Sequence, residues 1–232
     1  MLKITWLGHS TIELNLPSGE VILIDPWLEG NPKYPAGHAL TRCDAILISH
    51  AHGDHLGNTV ELAQRFPRAK IVCMYELACY LATKGVAGAI GMNKGGTVDL
   101  GFARAAMTHA LHSSSSEDAD RVYCGEAAGF AIETAGRKLY FAGDTAVFGD
   151  MRMIAELYGP VDVAMLPIGD LYTMGPREAA YATRLLRPKQ VLPIHWGTFP
   201  ALTGTPAALA DLIQDLPGTS VARLEPGGTL AI

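Results

Sequence analysis

Short apolar runs separated by turn residues dominate the beginning of the chain. Residues 2–7, 11–16 and 21–24 have the length and composition of β-strands, and Pro17-Ser18-Gly19 supplies a turn between two of them. The pattern predicts three successive antiparallel strands.

Further along, apolar residues recur with helical spacing between short strand-like runs. The predicted helices cover residues 76–83, 151–158, 176–186 and 206–216, and the predicted strands between them cover 70–74, 161–166 and 190–194. No linker or repeat interrupts this alternation. We therefore expect an α/β fold with two sheets faced by helices.

Length and composition are consistent with one compact domain over residues 1–232. The hydrophobic fraction of 49% is sufficient for a substantial core. No secretory leader and no apolar stretch of membrane-spanning length are evident, so we expect a cytoplasmic protein without a membrane span. The four cysteines have no CxxC spacing and lie in or beside apolar segments, which favours structural thiols over disulfides or zinc-thiolate sites.

One polar segment carries the densest cluster of candidate ligands. His50-Ala51-His52-Gly53-Asp54-His55 places three imidazoles and a carboxylate within six residues, after the largely apolar residues 44–49. Imidazole nitrogens and carboxylate oxygens are the ligands that zinc and its first-row neighbours take. The segment therefore predicts a metal site.

The spacing also predicts the local backbone of this segment. A helix would place His50 and His52 about 200° apart around its axis, whereas an extended segment keeps alternate residues on one side. We expect these two histidines at the end of a buried strand, with Gly53 providing a turn. Asn58 and Glu61 then resemble a helix capping box.

Three later strand-like runs also end in possible ligands. His109 and His112 follow the first run, Asp144 follows Gly143 after the second, and His195 follows the third. Taken singly, each has another explanation, as a loop histidine, a helix cap or an imidazole bonded to the backbone.

In this order, the motif His-x-His-x-Asp-His, a distant His, Gly-Asp and a last His resemble the metallo-β-lactamase superfamily. Gly8-His9-Ser10, Ile24-Asp25-Pro26, Ala110-Leu111-His112-Ser113-Ser114, Gly143-Asp144-Thr145 and Pro193-Ile194-His195-Trp196-Gly197 are similar to motifs of a largely uncharacterised family of metal-dependent hydrolases. Ascorbate-6-phosphate lactonases and N-acyl-phosphatidylethanolamine phospholipases look like more distant relatives. The resemblance covers nearly the whole chain and implies an αββα sandwich, in which two mixed sheets are flanked by helices.

The resemblance also implies a ligand set for two metal ions. His50, His52 and His112 would bind one ion, and Asp54, His55 and His195 would bind the second. Asp144 would bridge the two ions. His112 is preferred because Ala-x-His-Ser-Ser is the form of the family motif, but the spacing alone leaves His109 as an alternative.

Two cations in one site suggest hydrolysis. They lower the pKa of bound water toward ~7, which supplies a metal-bridging hydroxide. We expect attack on a small ester, lactone, amide or phosphodiester, with Asp54 as the catalytic residue that orients the hydroxide and shuttles a proton. Zinc is the default metal, and manganese, iron, cobalt or nickel also suit these ligands.

Other functions remain open. The same fold could serve an iron-dependent redox enzyme, although diiron flavoprotein relatives usually carry Glu where this chain has His52. A non-catalytic metal-binding protein is a further alternative. With 18 Lys and Arg against 23 Asp and Glu and a net charge of -5, nucleic acid is a disfavoured partner. The oligomeric state is not inferable.

Some residues around the motifs are weaker candidates. His9 could bind substrate, act as an acid behind the ligands, or be a bonded structural imidazole. Asp25 could bond a ligand histidine, but Asp before Pro is also an ordinary turn residue, and the turn is preferred. Asp170, Tyr172 and Met174 lie on a loop where this fold meets substrate. The run 113–118 could be a lid or a solvated loop.

Overall fold

Fourteen strands form two seven-stranded sheets in the computed structural model, which describes residues 1–232. The strands of the first sheet are β1 (Lys3–Trp6), β2 (Ile12–Asn15), β3 (Val21–Ile24), β4 (Ala45–Leu47), β5 (Lys70–Met74), β6 (Ile90–Met92) and β14 (Thr229–Ala231). Those of the second are β7 (Thr97–Asp99), β8 (Ala103–His109), β9 (Ala128–Thr134), β10 (Arg137–Phe141), β11 (Val163–Pro167), β12 (Gln190–Ile194) and β13 (Ser220–Val221).

Each sheet is half antiparallel and half parallel. The first has the order β14-β1-β2-β3-β4-β5-β6, with antiparallel pairing as far as β3 and parallel pairing from β3 onward. The second has the order β13-β12-β11-β10-β9-β8-β7, parallel as far as β10 and antiparallel beyond it. It follows that β1, β3 and β4 share one direction, as do β8, β10 and β12.

Six helices complete the fold. They are α1 (Gly53–Leu56), α2 (Thr59–Arg65), α3 (Tyr75–Thr83), α4 (Met151–Tyr158), α5 (Pro176–Leu186) and α6 (Pro206–Leu212). None of them combines the length and the apolar character that crossing a bilayer requires.

The side chains of the second sheet alternate between two apolar clusters. On β11, Val163 and Met165 belong to a cluster of 41 buried residues that includes strands of both sheets, whereas Ala164 and Leu166 belong to a second cluster of 16. The second cluster includes residues of α4, α5 and α6. Because successive strand residues point to opposite faces, the sheet packs against the first sheet on one side and against these helices on the other. The predicted αββα sandwich is confirmed.

Most elements predicted from the sequence are confirmed, some with shifted ends. The predictions for β3, β5, β12, α4 and α5 match to the residue. The helix predicted over 206–216 ends at Leu212, because the amides of Ile213 and Leu216 bond three residues back, in turns that precede Pro217. The strand predicted over 161–166 is shifted to Val163–Pro167.

The predicted capping box at Asn58 is wrong. Asn58 does precede α2, but its side chain makes no bond to that helix. Its Oδ1 instead accepts from the backbone amides of Leu28 and Glu29, at 2.8 and 2.9 Å. The side chain therefore binds the loop after β3 to the start of α2.

Candidate metal centre

Every polar residue of the centre follows the carboxyl end of a strand, or belongs to the connection after one. In the first sheet, His9 follows β1, Asp25 follows β3, and the segment 50–55 follows β4; in the second, His112, Asp144 and His195 follow β8, β10 and β12. These are the strands that share a direction within each sheet. Their ends therefore meet at one edge of the sandwich, where the two sheets bring their side chains together.

Three imidazoles form the first group of the centre. Ring nitrogens of His50, His52 and His112 lie within 4.8 Å of one another. His50 Nε2 is 2.9 Å from His52 Nδ1, and the ring of His112 stands almost perpendicular to both other rings, at 83°. Three nitrogens converging on one point are typical of a site for a single metal ion.

The tautomer of His50 follows from its hydrogen bonds. Ser49 Oγ donates to Asp25 Oδ2 at 2.6 Å, and its only proton is used in this bond. Ser49 Oγ must therefore accept from His50 Nδ1, 2.9 Å away. The unprotonated Nε2 of His50 then faces His52 and His112, as metal binding requires.

Asp54, His55, His195 and His9 form the second group, with ligand atoms also within 4.8 Å of one another. His55 Nδ1 donates to Asp25 Oδ2 at 2.6 Å, so its Nε2 points into the centre. This Nε2 lies 3.9 Å from Asp54 Oδ1, and His195 Nε2 lies 4.0 Å from Asp54 Oδ2.

The carboxylate of Asp144 lies between the two groups. Its Oδ2 is 3.0 Å from His195 Nε2, 3.2 Å from His55 Nε2 and 3.7 Å from His112 Nε2. One oxygen atom thus approaches imidazoles of both groups.

Several buried atoms of the centre have no hydrogen-bond partner. These are His55 Nε2, His195 Nδ1 and Asp144 Oδ1. Buried polar atoms without partners are costly, and a cation between the side chains would satisfy His55 Nε2 and Asp144 Oδ1. Nitrogen and carboxylate donors together suit zinc and other first-row divalent ions.

The electrostatics of the centre also favour cations. Burial lowers the pKa values of His50, His52 and His112, so these imidazoles are neutral at pH 7, as ligands must be. Burial raises the pKa values of Asp54 and Asp144, but the surrounding imidazoles outweigh it and hold both below the ordinary value.

His55 balances this negative charge. Burial lowers its pKa, but the carboxylates of Asp144, Asp54 and Asp25 outweigh burial and raise the pKa well above the ordinary value. The fold thus places positive charge among two buried carboxylates, Asp25 and Asp144, and the partly exposed carboxylate of Asp54. Metal ions bound between these side chains would supply the same charge in place of the proton.

Unusual backbone conformations shape the centre. His9, Asp25 and His195 have φ values of 53°, 46° and 54°, in the left-handed region that residues with side chains rarely adopt. Gly143 has a φ of 63°, and a Cβ atom there would lie 2.6 Å from the carbonyl oxygen of Ala128. Asp144 is therefore aimed into the centre by a turn that only glycine fits.

Gly53 does not have the turn conformation that the sequence suggested. It begins α1 with an ordinary φ, next to the loop 113–122. A Cβ atom at this position would meet only the carboxylate end of the exposed Glu117 side chain, which can move aside.

A cleft of about 340 Å³ opens over the centre. Asp54, Asp144 and His195 lie on its floor, and Arg121 supplies its only lysine or arginine side chain. Its lining residues are His52, Asp54, His112, Ser113, Ser115, Ser116, Glu117, Arg121, Asp144, Tyr172, His195 and Phe199. Groups at the edge of the centre are thus accessible to a small molecule.

The loop 113–122 forms one wall of this cleft and is hydrogen-bonded. Within it, the amide of Ser116 donates to the carbonyl of Val122, and the amide of Val122 donates to Ser116 Oγ. Asp118 accepts from Tyr80 Oη at 2.8 Å and pairs with Lys84 at 2.6 Å, both near α3. These two contacts bind the loop to α3 and to the residue that follows it.

The structure brings all seven sequence-predicted ligands together: His50, His52, Asp54, His55, His112, Asp144 and His195. It separates His109 from them. His109 ends β8 on the surface, where its Nδ1 lies 3.0 Å from Lys94 Nζ. Between the two histidines that the spacing left open, only His112 lies in the centre.

The candidate substrate contacts are only partly brought to the cleft. Tyr172 lines it, but Met174 is 1% exposed in the apolar cluster behind the second sheet. Asp170 is exposed outside the cleft, and His9 is fully buried beneath it. The structure therefore places Tyr172 at the cleft, and Asp170, Met174 and His9 away from its lining.

Two supporting residues were misjudged or missed in the sequence. Asp25 is not simply a turn residue, because its carboxylate binds Ser49 and His55 inside the protein. Thr198 was missed; its Oγ1 lies 2.9 Å from His9 Nδ1. Its position three residues after His195 was the one signal available in the sequence.

The chain is similar to known proteins over its whole length. A family model for the beta-lactamase superfamily domain matches residues 20–196. A UPF0173 metal-dependent hydrolase of Solibacter usitatus is 50% identical over 97% of this chain and 98% of its own, and one of Thermococcus onnurineus is 44% identical over all of both chains. A novel metallo hydrolase of the archaeon Ignicoccus hospitalis, whose structure is solved, is 36% identical with a TM-score of 0.85, over 99% of this chain and 97% of its own.

Proposed function

This chain belongs to the beta-lactamase superfamily domain family and, within it, to the UPF0173 metal-dependent hydrolases, and from this premise we propose that it is a binuclear hydrolase. In the proposal, His50, His52 and His112 hold one divalent ion, and Asp54, His55 and His195 hold a second. Asp144 bridges them. The substrate is a small ester, lactone, amide or phosphodiester.

The position of the Asp144 carboxylate is the observation that carries this proposal. Its Oδ2 lies within 3.7 Å of imidazole nitrogens from both groups, while its buried Oδ1 has no partner. If the Asp144 carboxylate only accepted hydrogen bonds, its buried Oδ1 should also have a donor. A carboxylate shared by two cations is consistent with both observations.

Two divalent ions, when bound, would supply a hydroxide nucleophile at neutral pH and the Lewis acidity that polarises the scissile carbonyl or phosphoryl oxygen. The protein's own groups then position the reactants. Asp54 Oδ2 accepts from His9 Nε2 at 3.0 Å, while Oδ1 has no hydrogen bond within the protein. In our proposal, the Asp54 carboxylate orients the nucleophile and passes its proton to the leaving group.

The cleft supports a small substrate. Its volume of about 340 Å³ is at the lower end of the usual range for ligand sites. Tyr172 and Phe199 are 58% and 39% exposed and can pack against an apolar part of the substrate, whereas Arg121 can pair with an anionic part. The open cleft also disfavours a purely structural metal site, since such sites are closed.

Zinc is the proposed metal, with manganese, iron, cobalt and nickel as alternatives. We also propose a single metallo-hydrolase domain and a cytoplasmic location. The four cysteines are all free thiols, three of them buried, which suits a reducing compartment.

Metal analysis combined with a hydrolysis panel tests the proposal. The purified protein and its Asp144→Ala and His195→Ala variants are analysed for metal content and assayed on a generic phosphodiester, an ester and a lactone. His109→Ala is the matched control, because it removes an imidazole outside the centre. We expect close to two ions per wild-type and control chain, and fewer ions with loss of hydrolysis in the two site variants.

The alternatives make different predictions in the same experiment. One ion or none, unchanged in the site variants and without turnover, would contradict the binuclear hydrolase and favour a metal-binding protein. Iron as the bound metal, with oxygen consumption and no hydrolysis, would instead favour a redox enzyme.

A further inference from the structure

His9 lies beneath the cleft in a position where it cannot contact substrate. Its side chain is fully buried and is absent from the cleft lining. The ring packs against the rings of His195, Trp27 and Phe199, with centroids 4.0, 5.2 and 5.7 Å away. Both ring nitrogens nevertheless have polar partners, so that packing alone does not explain a histidine here.

The two partners of His9 define its tautomer. Asp54 Oδ2, 3.0 Å from Nε2, is a carboxylate oxygen and accepts, so Nε2 carries the proton. With that proton on Nε2, Nδ1 is the ring nitrogen left to accept a hydrogen bond. Thr198 Oγ1 lies 2.9 Å from Nδ1 and is the donor, because its other acceptor, the carbonyl of Trp196, is 3.5 Å away.

The backbone of His9 makes a second connection to the same metal group. Its carbonyl oxygen accepts from the backbone amide of His195 and from Trp6 Nε1, both at 2.8 Å. Residue 9 therefore bonds to Asp54 through its side chain and to His195 through its main chain. Both are proposed ligands of one ion, and they come from different sheets.

We infer that Thr198 and His9 form a positioning chain for the second metal ion. Thr198 Oγ donates to His9 Nδ1, and His9 Nε2 donates to Asp54 Oδ2. This arrangement holds the carboxylate so that Oδ1 is free to bind. The inference rests on the proposed function in treating Asp54 and His195 as ligands of a second metal ion.

Thr198→Val and Thr198→Ser form a matched pair for the test. Valine keeps the shape of threonine and removes the hydroxyl, whereas serine keeps the hydroxyl and removes the methyl group. Partners that orient metal ligands typically contribute roughly 10–100-fold to metal affinity. We expect Thr198→Val to weaken binding of the second ion by about tenfold, and Thr198→Ser to retain most of the affinity. The first ion should bind equally in both variants.

The first readout uses the metal-free protein and does not depend on hydrolysis. Nitrogen-15 resonances of the His9 ring distinguish a protonated from an unprotonated nitrogen. We expect Nε2–H and an unprotonated Nδ1 in the wild type, with the Nδ1 resonance displaced in Thr198→Val and not in Thr198→Ser. A proton on Nδ1 in the wild type would overturn the inference.

The second readout is stepwise titration with Co²⁺, followed by its visible absorption. Equal affinity for the second ion in Thr198→Val and Thr198→Ser would also overturn the inference. If Thr198→Val does not fold, His9→Gln replaces it, because the Gln amide can donate to Asp54 and should retain more affinity than His9→Ala. A wild-type protein that binds no second ion would contradict the proposed function, while the resonances of the metal-free protein would still decide the tautomer.

Discussion

The replacement Asp25→Asn tests how the protein holds its metal-binding histidines. The Asp25 carboxylate is fully buried and accepts three hydrogen bonds. Oδ1 accepts from the amide of Ser49 at 2.7 Å, and Oδ2 accepts from Ser49 Oγ and His55 Nδ1, each at 2.6 Å. Asparagine keeps the shape, but it replaces one acceptor with a donor.

The expected loss of stability follows from these three bonds. In the better orientation of the amide, its NH₂ group faces the Ser49 amide, and leaving that buried pair unsatisfied costs about 1–3 kcal/mol. The other two bonds become neutral, which costs about 1 kcal/mol each. Removing a buried charge offsets part of this loss, since burial raises the pKa of Asp25. We expect a net loss of about 2–4 kcal/mol in the free energy of unfolding.

Two measurements check this expectation. In the metal-free protein, the loss should lower Tm by roughly 5–15 °C for a chain of this size. Because His55 loses a charged partner, affinity for the second ion should fall by about 10–100-fold. Asp162→Asn is the control, since it changes a carboxylate that also bonds to a backbone amide and lies away from the centre. Unchanged metal affinity and a stability within about 0.5 kcal/mol of the wild type would refute the role assigned to Asp25.

Three further predictions follow from other parts of the structure. His112→Ala should reduce metal content and abolish hydrolysis, whereas His109→Ala should leave both unchanged; elemental analysis and turnover decide between the two. Burial raises the pKa of Asp162, but bonds from Lys189 and the Lys138 amide outweigh it and hold the pKa below its ordinary value. The stabilising contribution of the Asp162 carboxylate is therefore present above about pH 4 and lost as the pH falls through its lowered pKa. Asp162→Asn should be about 1 kcal/mol less stable than the wild type at pH 7, and the difference should shrink in acid. Phe130→Ala removes a fully buried core side chain and should lower the free energy of unfolding in urea by about 3–5 kcal/mol, whereas Leu157→Ala, at a residue that is 68% exposed, should lower it by less than about 0.5 kcal/mol. Equal losses in the two variants would contradict the assignment of Phe130 to the core.

Regular elements with local signals were predictable from the sequence. The helix α5 begins with Pro176 at its first turn and carries a clear apolar face, and its prediction was correct to the residue. The short strands β6, β7, β13 and β14 were not predicted. They have two or three residues each, and no buried positions mark them as strands. Pairing with a neighbouring strand, which sequence spacing does not reveal, is what defines them.

The centre was predictable to the extent that its residues carry a motif. The segment 50–55 has such a motif, and Asp144 and His195 follow strands that the apolar pattern locates. The roles of Asp25, His9 and Thr198 depend on contacts between residues 30 to 189 positions apart. Local sequence cannot tell whether an Asp before Pro bonds to water or to a distant histidine. For Asp25 the parallel pairing of β3 with β4 decides this, whereas Thr198 reaches His9 only because the two sheets pack together.

The left-handed backbone at His9, Asp25 and His195 has an evolutionary consequence. Such conformations typically cost residues with side chains about 1–2 kcal/mol each, and glycine or asparagine would adopt them more easily. Selection for folding alone would therefore favour glycine or asparagine at positions 9 and 195. Selection for the metal centre is what keeps histidine at both positions. In descendants that had lost the activity, we would expect glycine or asparagine at these two positions before substitutions reach the apolar core.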